Sequence, residues 1–177
     1  TGNGTLFVSN VITKIPSGAF QSCNALTSLN IEADSHLESI ESNGFENSGL
    51  TAVSIPSSVK SIDTRAFYQA SSLTSLTFES NSSVTVIGYR GFEAASSLTS
   101  IIIPASVIEI RSYAFQGCSS LTSVTFESSS SVTIIGSQAF QDVTSLTSII
   151  IPSSVTRIEN RGFRGCSSLT SVTFESN

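Results

Sequence analysis

Seven phenylalanines recur along this chain at a nearly fixed interval: Phe20, Phe45, Phe67, Phe92, Phe115, Phe140 and Phe163. Each follows an Ala or Gly, and each lies five residues after an isoleucine, from Ile15 to Ile158. Six residues after each Phe stands a leucine (Leu26, Leu73, Leu98, Leu121, Leu146, Leu169), except Leu50, which follows Phe45 by five. The units alternate between 23 and 25 residues and sum to 48, with one residue lost in the turn before Leu50. A short unit repeated in tandem cannot bury its apolar face alone, so copies stack and share one continuous core. The period predicts one elongated domain over residues 1–177, read as a piece of a longer array.

Each leucine opens a segment of the form Leu-Thr-Ser, or Leu-Thr-Ala at Leu50, followed by alternating apolar and outward residues, as in Leu73, Leu76 and Phe78 or Leu121, Val124 and Phe126. That period of two is a strand with one buried face. Counting the segment from Asn3 to Val8, it predicts eight short strands. A second apolar pair in each coil, such as Val59 with Ile62 or Val107 with Ile110, predicts a shorter extended segment on the opposite wall. Pro56, Pro104 and Pro152 leave alternate strands, where a residue without an N–H suits a turn because it offers no ladder donor. The stretch around each Phe is too short for a free-standing helix, so a turn or 3-10 segment is expected there. The Phe ring would insert between coils, with the preceding Ala or Gly letting the backbones approach.

Charged residues make up only 12% and mean hydropathy is +0.23, because Ser and Thr supply the polar surface. The net charge of −5 disfavours nucleic acid and anionic lipid as partners. No apolar run approaches the ~18 residues of a membrane helix, so no membrane insertion is expected from this segment.

These residues resemble the BspA-like, or treponemal-class, leucine-rich repeats. The unit running from Leu98 through Ile101, Ile103, Pro104, Val107, Ile110, Tyr113, Ala114 and Phe115 to Cys118 carries the resemblance, and it recurs in phase over the whole chain. The resemblance implies a right-handed solenoid with a parallel sheet along one face. It also implies surface-exposed proteins of bacteria and parasitic protists, several proposed as adhesins.

Candidate residues follow from this layout. Outward positions of the strands, Ser75, Thr77, Ser100, Ile102, Ser123, Thr125, Ser148, Ile150, Ser171 and Thr173, form a hydroxyl ladder with isoleucines at alternate rungs. That ladder is the candidate binding face for a host or neighbouring-cell surface protein, matrix protein or glycan. The sole histidine, His36, lies in an acidic coil without a partner motif for catalysis or metal binding, so no enzyme activity and no cofactor are expected. Cys23, Cys118 and Cys166 share a slot filled elsewhere by Ser, Ala or Val and read as packing thiols. Glu79, Glu127 and Glu175 recur at 48 residues as an acidic row. Asn81 and Asn3 head Asn-x-Ser/Thr sequons and are candidate N-glycosylation sites. Head-to-tail stacking into fibres is the alternative role, because solenoid ends expose strand edges.

Overall fold

A computed structural model describes residues 4–176. Four-residue and two-residue strands alternate along it. In chain order they are β1 (Thr5–Val8), β2 (Lys14–Ile15), β3 (Ser28–Ile31), β4 (Ser39–Ile40), β5 (Ala52–Ile55), β6 (Ser61–Ile62), β7 (Ser75–Phe78) and β8 (Val86–Ile87). The series continues with β9 (Ser100–Ile103), β10 (Glu109–Ile110), β11 (Ser123–Phe126), β12 (Ile134–Ile135), β13 (Ser148–Ile151), β14 (Arg157–Ile158) and β15 (Ser171–Phe174). Every pairing is parallel and joins one coil to the next. The molecule is therefore a parallel β-solenoid, and no helix of any kind occurs among the described residues.

The two-residue strands form one unbroken seven-stranded sheet whose register aligns the isoleucines that precede each Phe. The wall of four-residue strands departs from the single sheet expected. It divides into a four-stranded sheet, β1-β3-β5-β7, and two separate pairs, β9-β11 and β13-β15. Pairing is complete wherever a 23-residue coil joins two strands, and between β3 and β5 it shrinks to Ser28 opposite Ala52.

The prolines account for this division. In the fully paired coils the residue after the second strand is Glu32, Glu79, Glu127 or Glu175. Its N–H donates to the carbonyl of Val8, Ile55, Ile103 or Ile151 at 2.9–3.0 Å. At the other three junctions that place is held by Pro56, Pro104 or Pro152, which have no N–H to give. The extra residues of the long coils, two at Pro104 and Pro152 and one at Pro56, then let the strands part.

The stretch around each Phe is all turn, with 3-10 geometry absent among the described residues. Alternate N–H groups explain why. Phe92, Arg90 two residues before it and Ala94 two residues after it send their N–H groups to Ala114, Ser112 and Gln116 of the next coil, and the same triplet recurs from Gly18 to Asp142 at 2.7–3.1 Å. The N–H groups between them close turns within the coil, as Glu93 does to Arg90. Holding every second N–H outward puts the flanking residues at left-handed φ, including Arg65, Arg90, Ala94 and Tyr113. A non-glycine residue there costs on the order of 1–2 kcal/mol, which the inter-coil bonds offset.

These bonds set the pitch of the aromatic column. All seven Phe rings stack with centroids 5.1–5.4 Å apart and planes within 14°. Phe45, Phe67, Phe92, Phe115 and Phe140 are fully buried, while Phe20 and Phe163 are half-buried at the ends of the column. Ala66, Ala114 and Ala139, each preceding a Phe, are also fully buried. At Gly44 even a Cβ would stand 3.1 Å from the Glu41 carbonyl and 3.3 Å from methyls of Ile15 and Ile40.

Removing a central ring opens a cavity that coils on both sides cannot fill. Phe92→Ala should therefore cost about 3–5 kcal/mol, and Phe163→Ala clearly less because its ring already meets solvent. Urea unfolding of the two variants against the parent chain measures the difference.

Candidate functional site

The wall of four-residue strands presents its alternate side chains to solvent because their neighbours are drawn into the core. Ser75 and Thr77, Ser100 and Ile102, Ser123 and Thr125, Ser148 and Ile150, and Ser171 and Thr173 are all exposed, while Leu76, Ile101, Val124 and Ile149 between them are buried. Ile102 and Ile150 are each 57% exposed and lie directly beside Thr125 and Thr173. Apolar rungs thus recur every second coil in a wall otherwise of hydroxyls.

A second hydroxyl row edges this wall. Thr27, Thr51, Thr74, Thr99, Thr122 and Thr170, each following the leucine of its coil, donate the Oγ1–H to the backbone carbonyl of the corresponding residue one coil earlier. Thr51 bonds to Thr27, Thr74 to Thr51 and Thr122 to Thr99, at 3.1, 2.9 and 3.0 Å. Sequence reasoning assigned this threonine no role; its presence directly after every one of the seven repeat leucines was the signal.

The parted junctions are shallow clefts. One of about 190 Å³ lies between β7 and β9, floored by Leu76 and Ile101 and walled by Ser75, Thr77, Ser100 and Ile102. A matching cleft of about 230 Å³ lies between β11 and β13, with Thr125, Ser148 and Ile150 in its lining. Glu127 borders the first and Glu175 the second.

The acidic row is more specific than a solvating fringe. Glu32, Glu79 and Glu127 accept backbone N–H groups of Asn10, Ser57 and Ala105, one coil earlier, at 2.9–3.0 Å. Each carboxylate caps a turn next to the wall. On the turn edge, Arg90 lies over the rings of both Tyr89 and Tyr113 at 5.2 and 4.9 Å, the two rings meeting edge to face, and Arg65 lies over Tyr68 at 5.3 Å. Burial raises the Glu93 pKa, opposed by the neighbouring Arg90 and Arg65. Arg90 also pairs with Glu93 of the same turn, Nε to Oε2 at 3.4 Å.

His36 sits exposed in its turn with Nδ1 3.1 Å from the Asn10 carbonyl oxygen. No group of three His, Cys, Asp or Glu residues among those described could hold a metal ion. Asn81 is exposed and left-handed at φ 59°, and Asn3 lies outside the described residues.

A family model described as BspA type leucine rich repeat region matches residues 4–96 and 85–177, in six copies. The chain belongs to this BspA-type family. Its fold is similar to that of the pneumococcal vaccine antigen PcpA, with a TM-score of 0.73 at 21% identity over 96% of this chain and 50% of that one. A leucine-rich repeat protein from Bacteroides ovatus gives a TM-score of 0.65 at 20% identity, over 97% of this chain and 60% of the other. The T. pallidum leucine-rich repeat protein is 35% identical, with a TM-score of 0.63 over 69% of this chain and 57% of that one. This BspA-type chain therefore spans about half the length of the pneumococcal antigen. No curated protein sequence matches it.

The cysteine slot of the BspA-type unit is a packing site. All three thiols are unpaired. The Cys118 and Cys166 thiols donate to the carbonyls of Phe92 and Phe140 at 3.2 and 3.1 Å, two coils of the aromatic column apart. Burial pushes the pKa of Cys118 up to about 12 and raises that of the half-buried Cys166. A thiol protonated in the fold but ionised when unfolded stabilises the fold below its ordinary pKa and loses that contribution as pH climbs towards the folded value. Between about pH 9 and 12 the Cys118 thiol should therefore lower stability by up to ~1.4 kcal/mol per pH unit. Denaturant titrations across this window should show a shallower decline for Cys118→Ala.

Proposed function

We propose that this chain is a non-catalytic binding segment of a cell-surface or secreted protein. Its hydroxyl and isoleucine wall docks a surface or matrix protein of a host or neighbouring cell. The observation that carries this reading is the regular exposure of Ile102 and Ile150 among the outward Ser and Thr. Exposed apolar side chains set in a flat polar field are suited to be desolvated by a partner. An array adds one weak contact per coil, so affinity accumulates when the partner's spacing matches. Membership in the BspA-type family and the fold shared with a pneumococcal vaccine antigen support a place at the cell surface.

The isolated 177-residue chain should bind host matrix or epithelial preparations. The double substitution Ile102→Asp with Ile150→Asp should weaken that binding by at least about tenfold, as for the loss of interface anchors. Because both side chains face solvent, thermal unfolding should shift little. Undiminished binding by a folded double variant would remove this wall as the docking surface.

A second reading, end-to-end stacking into extracellular fibres, is supported by apolar surface at both ends of the described coils. Phe174 is 63% exposed on the last strand, and an apolar recess of about 320 Å³ lies beside Leu6, Ile12 and Phe20 in the first coil. Electron microscopy of concentrated protein should show filaments under this reading; discrete particles at every concentration would rule it out.

A further inference from the structure

We propose that the two clefts are sugar-binding subsites, each seating one neutral hexose or N-acetylhexosamine ring of a glycan carried by the partner. This rests on the reading of the wall as the docking surface and names the chemistry that the wall recognises.

Along most of the wall, strand N–H and C=O groups are consumed by the ladder. Between β7 and β9, and again between β11 and β13, the ladder is missing. Both edges of each cleft therefore offer backbone donors and acceptors beside the hydroxyls of Ser75, Thr77 and Ser100, or of Thr125 and Ser148. A sugar hydroxyl is donor and acceptor at once, and so is matched to a mixed lining of this kind.

Charge narrows the class. Neither cleft has a lysine or arginine in its lining, and each has one carboxylate, Glu127 or Glu175. Glu127 is held in place through one oxygen by the Ala105 N–H at 2.9 Å, and it can accept further bonds from sugar hydroxyls or an acetamido N–H. The same carboxylate repels sulfate, phosphate or uronate. The floor is apolar, Leu76 with Ile101 in one cleft and Val124 with Ile149 in the other, which suits the C–H face of a pyranose ring.

Size and spacing decide against a peptide strand. A strand inserted between β7 and β9 would require them to stand about 9.6 Å apart, twice the inter-strand spacing, yet their Cα atoms approach within 8 Å. The volumes of about 190 and 230 Å³ lie below the ~300 Å³ at which drug-sized pockets begin. The clefts recur two coils apart, roughly 10 Å, so alternate rings of one extended glycan chain, with one ring bridging them, can occupy both.

The test is a titration of the whole 177-residue chain, isotope-labelled and observed by proton–nitrogen correlation spectra. Methyl glycosides of glucose, galactose, mannose and N-acetylglucosamine are the probes, with glucuronate as the anionic control. At least one neutral glycoside should shift the amides of Phe78, Ser100 and Ile102, and of Phe126, Ser148 and Ile150, with a millimolar apparent Kd, while glucuronate should not. Glu127→Gln combined with Glu175→Gln should weaken that binding about tenfold through loss of charge-assisted hydrogen bonds. No shift with any neutral glycoside, shifts confined to other parts of the chain, or unchanged binding by the folded glutamine variant would each overturn the proposal. Treating the matrix preparation with glycosidases separates the two ideas. Binding by the parent chain that survives deglycosylation overturns the sugar assignment while leaving protein docking intact. Failure of the parent chain to bind untreated matrix removes the docking reading, and the glycoside titration still decides the clefts.

Discussion

Three outward N–H groups per coil hold this solenoid in register. They leave the turn at the Phe and at the residues two before and two after it, and they end on carbonyls of the following coil. Directional bonds of 2.7–3.1 Å tolerate little sliding, so each coil can sit on the next in one phase only. The aromatic column, the aligned isoleucines of the two-residue strands and the outward ladder of Ser and Thr all inherit that phase. Hydrophobic burial supplies the larger stabilisation. Burial alone, being non-directional, would allow the coils to slip.

The wall of four-residue strands shows how one missing donor shapes a surface. A glutamate after the strand gives its N–H to the ladder and its carboxylate to the turn of the preceding coil, as Glu79 does with Ile55 and Ser57. A proline at the same place gives neither. Because Glu and Pro alternate from one coil to the next, closed pairs and open clefts alternate too. The residues that part the strands, Pro104 and Pro152, also deliver Ile102 and Ile150 to the rims of the clefts.

Much of this was legible in the sequence for physical reasons. A ring repeated at a fixed interval has one sensible destination, and alternation over Leu76-Thr77-Phe78 and Val124-Thr125-Phe126 shows which place turns outward, including the one held by Ile102 and Ile150. Left-handed geometry was harder to see. Gly18, Gly117, Asn43 and Asn47 hint at it, but Arg65, Arg90, Gln69 and Tyr113 occupy the same conformation and carry no local signal, since their strain is offset by a neighbouring coil. The split of the long wall was half visible. The prolines announced missing donors, but whether two strands part or pair through their remaining groups depends on coil length and packing together. The contact of Arg90 with Tyr113 was hidden because the two come from successive coils and meet only after the pitch is set.

The alternation of coil lengths makes 48 residues, and not 23 or 25, the smallest piece that maps this molecule onto itself. Recombination that duplicates or deletes such a piece would change the reach of the protein without disturbing the order of pairs and openings on either side of the join. An unequal exchange of a single turn would instead set two like turns side by side. Growth of the array in whole two-turn increments therefore preserves the recognition pattern while extending it, so that length becomes a variable that evolution can adjust at little structural risk.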